Sequence, residues 1–196
     1  MSDFNLQEFA NDVYYSMKER EYRNLTEDQL STIEEQRSSG QWNDADFTQA
    51  LAQANATYAN DLTEGHIEGS GVEGRLQSLI QDCATTGNEM LTMAVKNLVR
   101  ESVDNDIQTQ TIHVPTIHTN ARFHLQDATE SAIGKALQGD FTKLTEFAQR
   151  EGDGAGFKMA ALATLGMMQA HVAMNPPEPK TGLSANLENV ARPPSA

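Results

Sequence analysis

Three histidines and a carboxylate, His113, His118, His124 and Asp127, fall within fifteen residues. Imidazole and carboxylate together are ligands for zinc and related transition metals. Their spacing works against a ready-made site. Residues five apart on an extended strand point to opposite faces, and Pro115 bends the path between the first two histidines. His113 and His118 belong to a short repeat, Thr111-Ile112-His113 and Thr116-Ile117-His118. Two copies do not make a repeat architecture. The favoured reading is loop histidines with a mild pH response, so no metal is assigned. A small His-based metalloprotein is kept as an alternative.

Other chemistry-bearing residues are read the same way. Cys83 is the sole cysteine, so neither an intramolecular disulfide nor a cysteine cluster can form in one chain. It lies on an apolar helical face and is expected to be a buried, inert thiol. The run Gly152-Asp153-Gly154-Ala155-Gly156-Phe157-Lys158 resembles a phosphate loop only superficially. It lacks the Gly-Lys-Ser/Thr ending and a preceding strand, and its acids lack calcium-loop spacing. It reads as a helix-to-helix turn. His171 is expected within a core or at its rim. The acid pairs Glu34/Glu35 and Asp44/Asp46 read as helix-terminal or solvated charges. With no carboxylate pair evident in an apolar setting, no catalytic residue, cofactor-binding residue or cofactor is assigned, and the chain is read as not an enzyme.

Charge narrows the partner. The 196 residues carry a net charge of −14, of which residues 1–70 supply −10 from fourteen acids and four bases. Such a surface repels phosphate backbones and anionic lipid, so direct binding to nucleic acid is not expected. It favours solubility, or a basic protein partner. The start, MSDFNLQEF, has neither a basic n-region nor an apolar h-region, which points to a cytoplasmic protein or a particle assembled in the cytoplasm.

The elements that must position these residues are helical almost throughout. The sequence predicts helices from Asp3 to about Arg23, from Thr26 to about Arg37 before Gly40, and from an Asn43 cap to about Leu62. In the third, Trp42 and Phe47 occupy staple positions. A glycine-containing segment over 64–71 is expected to be flexible. Helical periodicity then covers 72–104, with an expected break at 85–88 and a cap at Thr86 spaced from Glu89. Residues 105–120 are β-branched and contain Pro115, so they are expected to form one long extended connection. Helices follow from an Asn120 cap to about Gln138 and from Thr142 to about Arg150.

Residues 157–174, FKMAALATLGMMQAHVAM, are apolar on nearly every side. A helix of that kind is expected to be buried. From Met159 to Met174 there are sixteen residues, fewer than the roughly 20 a bilayer span needs, so no stable span is expected.

These readings give an all-α fold, an irregular bundle of about seven helices with a Pro-rich C-terminal tail. Its parts are an acidic N-terminal helical part (1–63), the loop 64–71, a helical core part (72–174) and an extended or disordered tail (175–196). Aromatics are only 6% of the chain, so the core must rest on aliphatic residues and is thin, which favours completion by another chain. The expected function is a non-enzymatic structural or assembly protein. It would form a homo-oligomer or dock on a larger protein complex, such as a viral (phage) particle, as a virion component. Met159, Leu162, Met167, Met168, Met174, Ile112 and Ile117 are the interface candidates. An acidic regulator or inhibitor of a basic protein surface is the alternative.

Overall fold

The computed structural model describes residues 5–19, 27–111 and 124–178. Among them are eight helices: α1 (Leu6–Glu19), α2 (Glu27–Ser38), α3 (Asp44–Thr63), α4 (Val72–Thr85), α5 (Glu89–Thr111), α6 (His124–Leu137), α7 (Thr142–Gln149) and α8 (Ala155–Met174). No strand occurs among the described residues, so the all-α bundle expected from the periodicity is observed.

Local chemistry sets several boundaries. Asn5 begins α1 by accepting from the Gln7 backbone N–H at 2.8 Å, whereas Asp3 lies outside the described residues. Asn43 caps α3 by accepting from Asp46 N–H, and the Asp46 carboxylate accepts from Asn43 N–H in return, both at 3.0 Å. The expected staple forms, with Trp42 stacked on Phe47 at 5.6 Å between centroids; Phe9 of α1 also stacks on Phe47, at 5.2 Å. The break between α4 and α5 also forms, but Asn88 supplies its cap. Asn88 Oδ1 accepts from Leu91 N–H, while the Thr86 hydroxyl turns back to donate to the Cys83 carbonyl.

The sequence reading fails at the end of α5. Helix continues through 105–111 instead of giving way to an extended segment. Tertiary ties explain this. Asn105 Nδ2 donates to the Asp153 carbonyl at 2.8 Å, and buried Asp106 accepts from Leu125 N–H at 3.0 Å and Gln126 N–H at 2.9 Å. Asp106 therefore caps α6 from a neighbouring helix, holding the end of one against the start of the other. Asn120 lies outside the described residues.

The core is one aliphatic cluster. It draws Tyr58, Ala59 and Leu62 from α3, Leu76, Ile80 and Cys83 from α4, and Leu91, Val95, Leu98, Val99 and Val103 from α5. Leu125, Ile133, Leu144, Phe147, Phe157, Ala161 and Met168 complete it. A smaller cluster of Phe9, Ala10 and Ala54 seats α1 on α3. The loop 64–71, expected to be flexible, is stitched down by one side chain. Gln77 Nε2 donates to the Leu62 and Ile67 carbonyls, and Gln77 Oε1 accepts from Gly69 N–H. Among the described residues no helix is long and apolar enough to cross a membrane.

Candidate functional site

Helix α8 runs antiparallel to α5, and three contacts fix its rotation and depth. Asp153, just before α8, receives the Asn105 amide. Gly156 lies so close to Glu101 that a β-carbon there would come within 2.7 Å of its carboxylate. At mid-helix, the buried Thr164 hydroxyl shares its proton between the Ala160 carbonyl at 2.8 Å and the Ala94 carbonyl of α5 at 3.1 Å. The glycine-rich entry, with φ of +104° at Gly152 and +86° at Gly154, makes the sharp turn that brings α8 into this contact. On the other flank Phe157 packs against Phe147 of α7, 5.3 Å between centroids.

With its rotation fixed, α8 buries one face only: Phe157, Ala160, Ala161, Thr164 and Met168. The expectation of all-round burial is corrected here. Residue type made every side apolar, but α8 lies at the edge of the bundle and has neighbours on one side. Among the interface candidates, Met168 is wholly buried and belongs to the core, and Met167 is half-buried against it. Met159 (65% exposed), Leu162 (52%) and Met174 (83%) point outward. Ala155, Ala163, Gly166, Ala170 and Ala173 lie between them, all exposed. At about 100° per residue this is a continuous apolar stripe, interrupted by Gln169 alone. The charged residue of α8, Lys158, is engaged by Glu151 at 2.6 Å. Met90 and Met93 of α5 are also exposed, at 68% and 65%. Ile112 and Ile117 lie outside the described residues.

The histidine grouping is not assembled among the described residues. His113, His118 and the His124 side chain lie outside them. Asp127 is exposed and faces Arg75 at 3.8 Å, where Arg75 also binds Glu130 at 2.8 Å. No group of three His, Cys, Asp or Glu side chains that could hold a metal occurs among the described residues. Cys83 is buried, and burial pushes its thiol up to about 11, so it is neutral and unreactive at ordinary pH.

Two polar groupings were not legible in the sequence. The first lies inside the bundle. Glu73 and Asp106 are buried carboxylates; Glu73 accepts from the Tyr58 hydroxyl at 2.9 Å, and Asp106 caps α6. Asn55, Gln126 and Thr129 are fully buried, and their side-chain polar atoms have no hydrogen-bond partner among the described residues. Neither buried carboxylate was singled out from the sequence, and the two have different partners rather than forming a pair. Glu73 and Asp106 engage protein donors, one a hydroxyl and the other two backbone N–H groups, which is a structural use. A signal did exist: Asp106 continues the face Leu91, Val95, Leu98, Ser102 at helical spacing.

The second grouping joins α1 to α3. The Tyr14 hydroxyl donates to Asp61, whose other oxygen meets His66 Nδ1 at 3.3 Å. Burial and the hydrogen bond to Asp61 push the Tyr14 phenol up to about 12. The same bond, with the nearby His66 and Lys18, holds the Asp61 carboxyl below its usual range. Beside it, a groove of about 400 Å³ is lined by Glu64, His66, Gln77, Gln81, Thr92 and Lys96. Glu64 is held there by Lys96 at 3.0 Å and Arg100 at 3.4 Å.

No protein-family model, curated protein or solved structure matches the chain.

Proposed function

We propose that this chain is a non-enzymatic structural protein that associates with itself through the outward face of α8. The observation that carries the reading is that face: a stripe four to five turns long, apolar, and exposed among the described residues. Exposed apolar patches of several hundred Å² are uncommon on monomers and mark places of contact. The chain around it is strongly acidic, at −14, yet the stripe carries no charge. Polar, acidic surroundings keep each copy soluble, and the neutral stripe is where copies meet without opposing like charges.

Association of this kind has a distinctive salt dependence. Apolar contact between two acidic bodies is opposed by their net charge, and salt screens that repulsion. The dissociation constant therefore falls as ionic strength rises. Docking of the acidic residues 1–70 on a basic partner has the opposite dependence.

Light scattering on the wild type and on Leu162→Glu tests the reading. The wild type is expected at a multiple of 21.5 kDa, and Leu162→Glu at 21.5 kDa with unchanged helical content. A variant that retains the wild-type mass would refute the role of this face.

A further inference from the structure

We propose that the end of the bundle where α5 begins and α8 finishes is a thioether site for Cu(I), formed by Met90 and Met93 of α5 with Met167, His171 and Met174 of α8. The inference stands apart from the self-association reading, since it needs only one copy of the chain.

The register of the two helices brings these residues to one place. In the antiparallel pair, Glu101 lies level with Gly156 and Ala94 level with Thr164. Met90 is four residues from Ala94 and eleven from Glu101, so it continues the row of α5 that faces α8. Met167 is three residues from Thr164 and eleven from Gly156, and His171 is seven from Thr164, so both continue the row of α8 that faces α5. Counting outward from the Thr164–Ala94 hydrogen bond, at about 1.5 Å per residue along each helix, sets Met90 level with Met167. Met93 follows Met90 by one turn, and Met174 follows His171 by one turn.

Burial leaves this end of the seam open. Met90, Met93 and Met174 are 68%, 65% and 83% exposed, while Met167 and His171 are half-buried. The core takes its aliphatic bulk from Leu, Ile and Val and holds one buried methionine, Met168. Among the described residues, four of the six exposed large hydrophobics are methionines, and three of those four belong to this end of α5 and α8. Leu or Ile would supply the same apolar bulk. What these side chains share with Met167 is a polarisable sulfur on a flexible stem that can turn toward a common point.

Ligand chemistry selects the ion. Neutral thioethers are soft donors that suit Cu(I), and one imidazole nitrogen joins them without displacing that preference. Zinc and the hard divalent cations need thiolate, carboxylate or several imidazoles, and no group of three His, Cys, Asp or Glu side chains that could hold them occurs among the described residues. The net charge of −14 favours uptake of a cation. Cys83, the remaining soft ligand of the core, is wholly buried and takes no part.

Anaerobic titration of the Cu(I)–bicinchoninate complex with the full chain tests the site. The wild type is expected to withdraw about one equivalent of copper, with sulfur and a single nitrogen around the metal by X-ray absorption. Met90→Leu/Met167→Leu keeps the apolar bulk and is expected to weaken binding at least ~10-fold with unchanged helical content. Met159→Leu, on the outward face of α8, and Cys83→Ala are each expected to change it less than ~3-fold. Copper that stays with the chelator in the presence of the wild type overturns the proposal. So does full binding by the double methionine variant, or binding lost in Cys83→Ala. None of these outcomes bears on self-association, which light scattering reads separately.

Discussion

The Thr164 hydroxyl reaches the Ala94 carbonyl at 3.1 Å, and this contact between α8 and α5 decides which side of an otherwise featureless apolar helix faces inward. Thr164 is fully buried, so its hydroxyl needs a partner, and both Ala160 and Ala94 carbonyls provide one. Thr164→Val keeps the shape and removes the donor. It is expected to cost ~1 kcal/mol, a fall in Tm of about 2–4 °C. Thermal unfolding followed by circular dichroism measures it, and an unchanged Tm would deny the contact any energetic weight.

Tyr14 and Asp61 hold α1 on α3. Tyr14→Phe removes the hydroxyl that stabilises the Asp61 carboxylate, so the Asp61 pKa rises toward that of a free carboxyl. The sign follows from the depressed native value. The wild type binds fewer protons than the unfolded chain here, so its added stability is present above the ordinary carboxyl pKa. It is lost as pH falls through the native one. The variant is expected to be ~1 kcal/mol less stable at pH 7, with the difference shrinking in acid. Urea unfolding at pH 7 and pH 3 checks this; a difference independent of pH would contradict the ionic part of the account.

Glu101 behaves in the opposite sense. Burial against Gly156, reinforced by nearby Asp104 and opposed by Arg100, raises its pKa above 4.5. The folded state therefore holds this proton more tightly than the unfolded one, and stability declines as pH rises from the unfolded pKa through the native pKa. Glu101→Gln is expected to be the more stable protein at pH 7 and to lose that advantage below pH about 4. Denaturant midpoints across pH 3 to 8 measure it. A variant less stable at neutral pH would show that the carboxylate makes a contact the charge argument lacks.

Gln126 is the clearest internal liability. Its amide is fully buried, with neither nitrogen nor oxygen partnered among the described residues. Gln126→Met keeps the volume and removes the unmet polar atoms, with an expected gain of ~1–2 kcal/mol. A loss of stability on chemical denaturation would mean that the amide is satisfied in solution.

Much of the architecture was legible because it is written in local chemistry. The Asn43 cap, the Trp42–Phe47 staple and the break near Thr86 involve residues a few positions apart. What depended on distant residues was not. Asp106 caps a helix starting eighteen positions later, and that tie, with Asn105 on Asp153, carries α5 through a stretch whose β-branched residues argued for an extended chain. The stripe of α8 was half legible. Its apolar residues and its ends could be read directly. Which of its sides faces water is set by Thr164, Gly156 and Phe157 against other helices, and composition carries no trace of that.

The central claim, that the outward face of α8 joins copies of this chain, is tested most directly by sedimentation equilibrium of the unmodified protein. Loading concentrations should run from about 1 to 100 µM, at low and at high salt. The account predicts a mass that is a multiple of 21.5 kDa and association that tightens as salt rises. A single species at 21.5 kDa across all concentrations and both salts would contradict it.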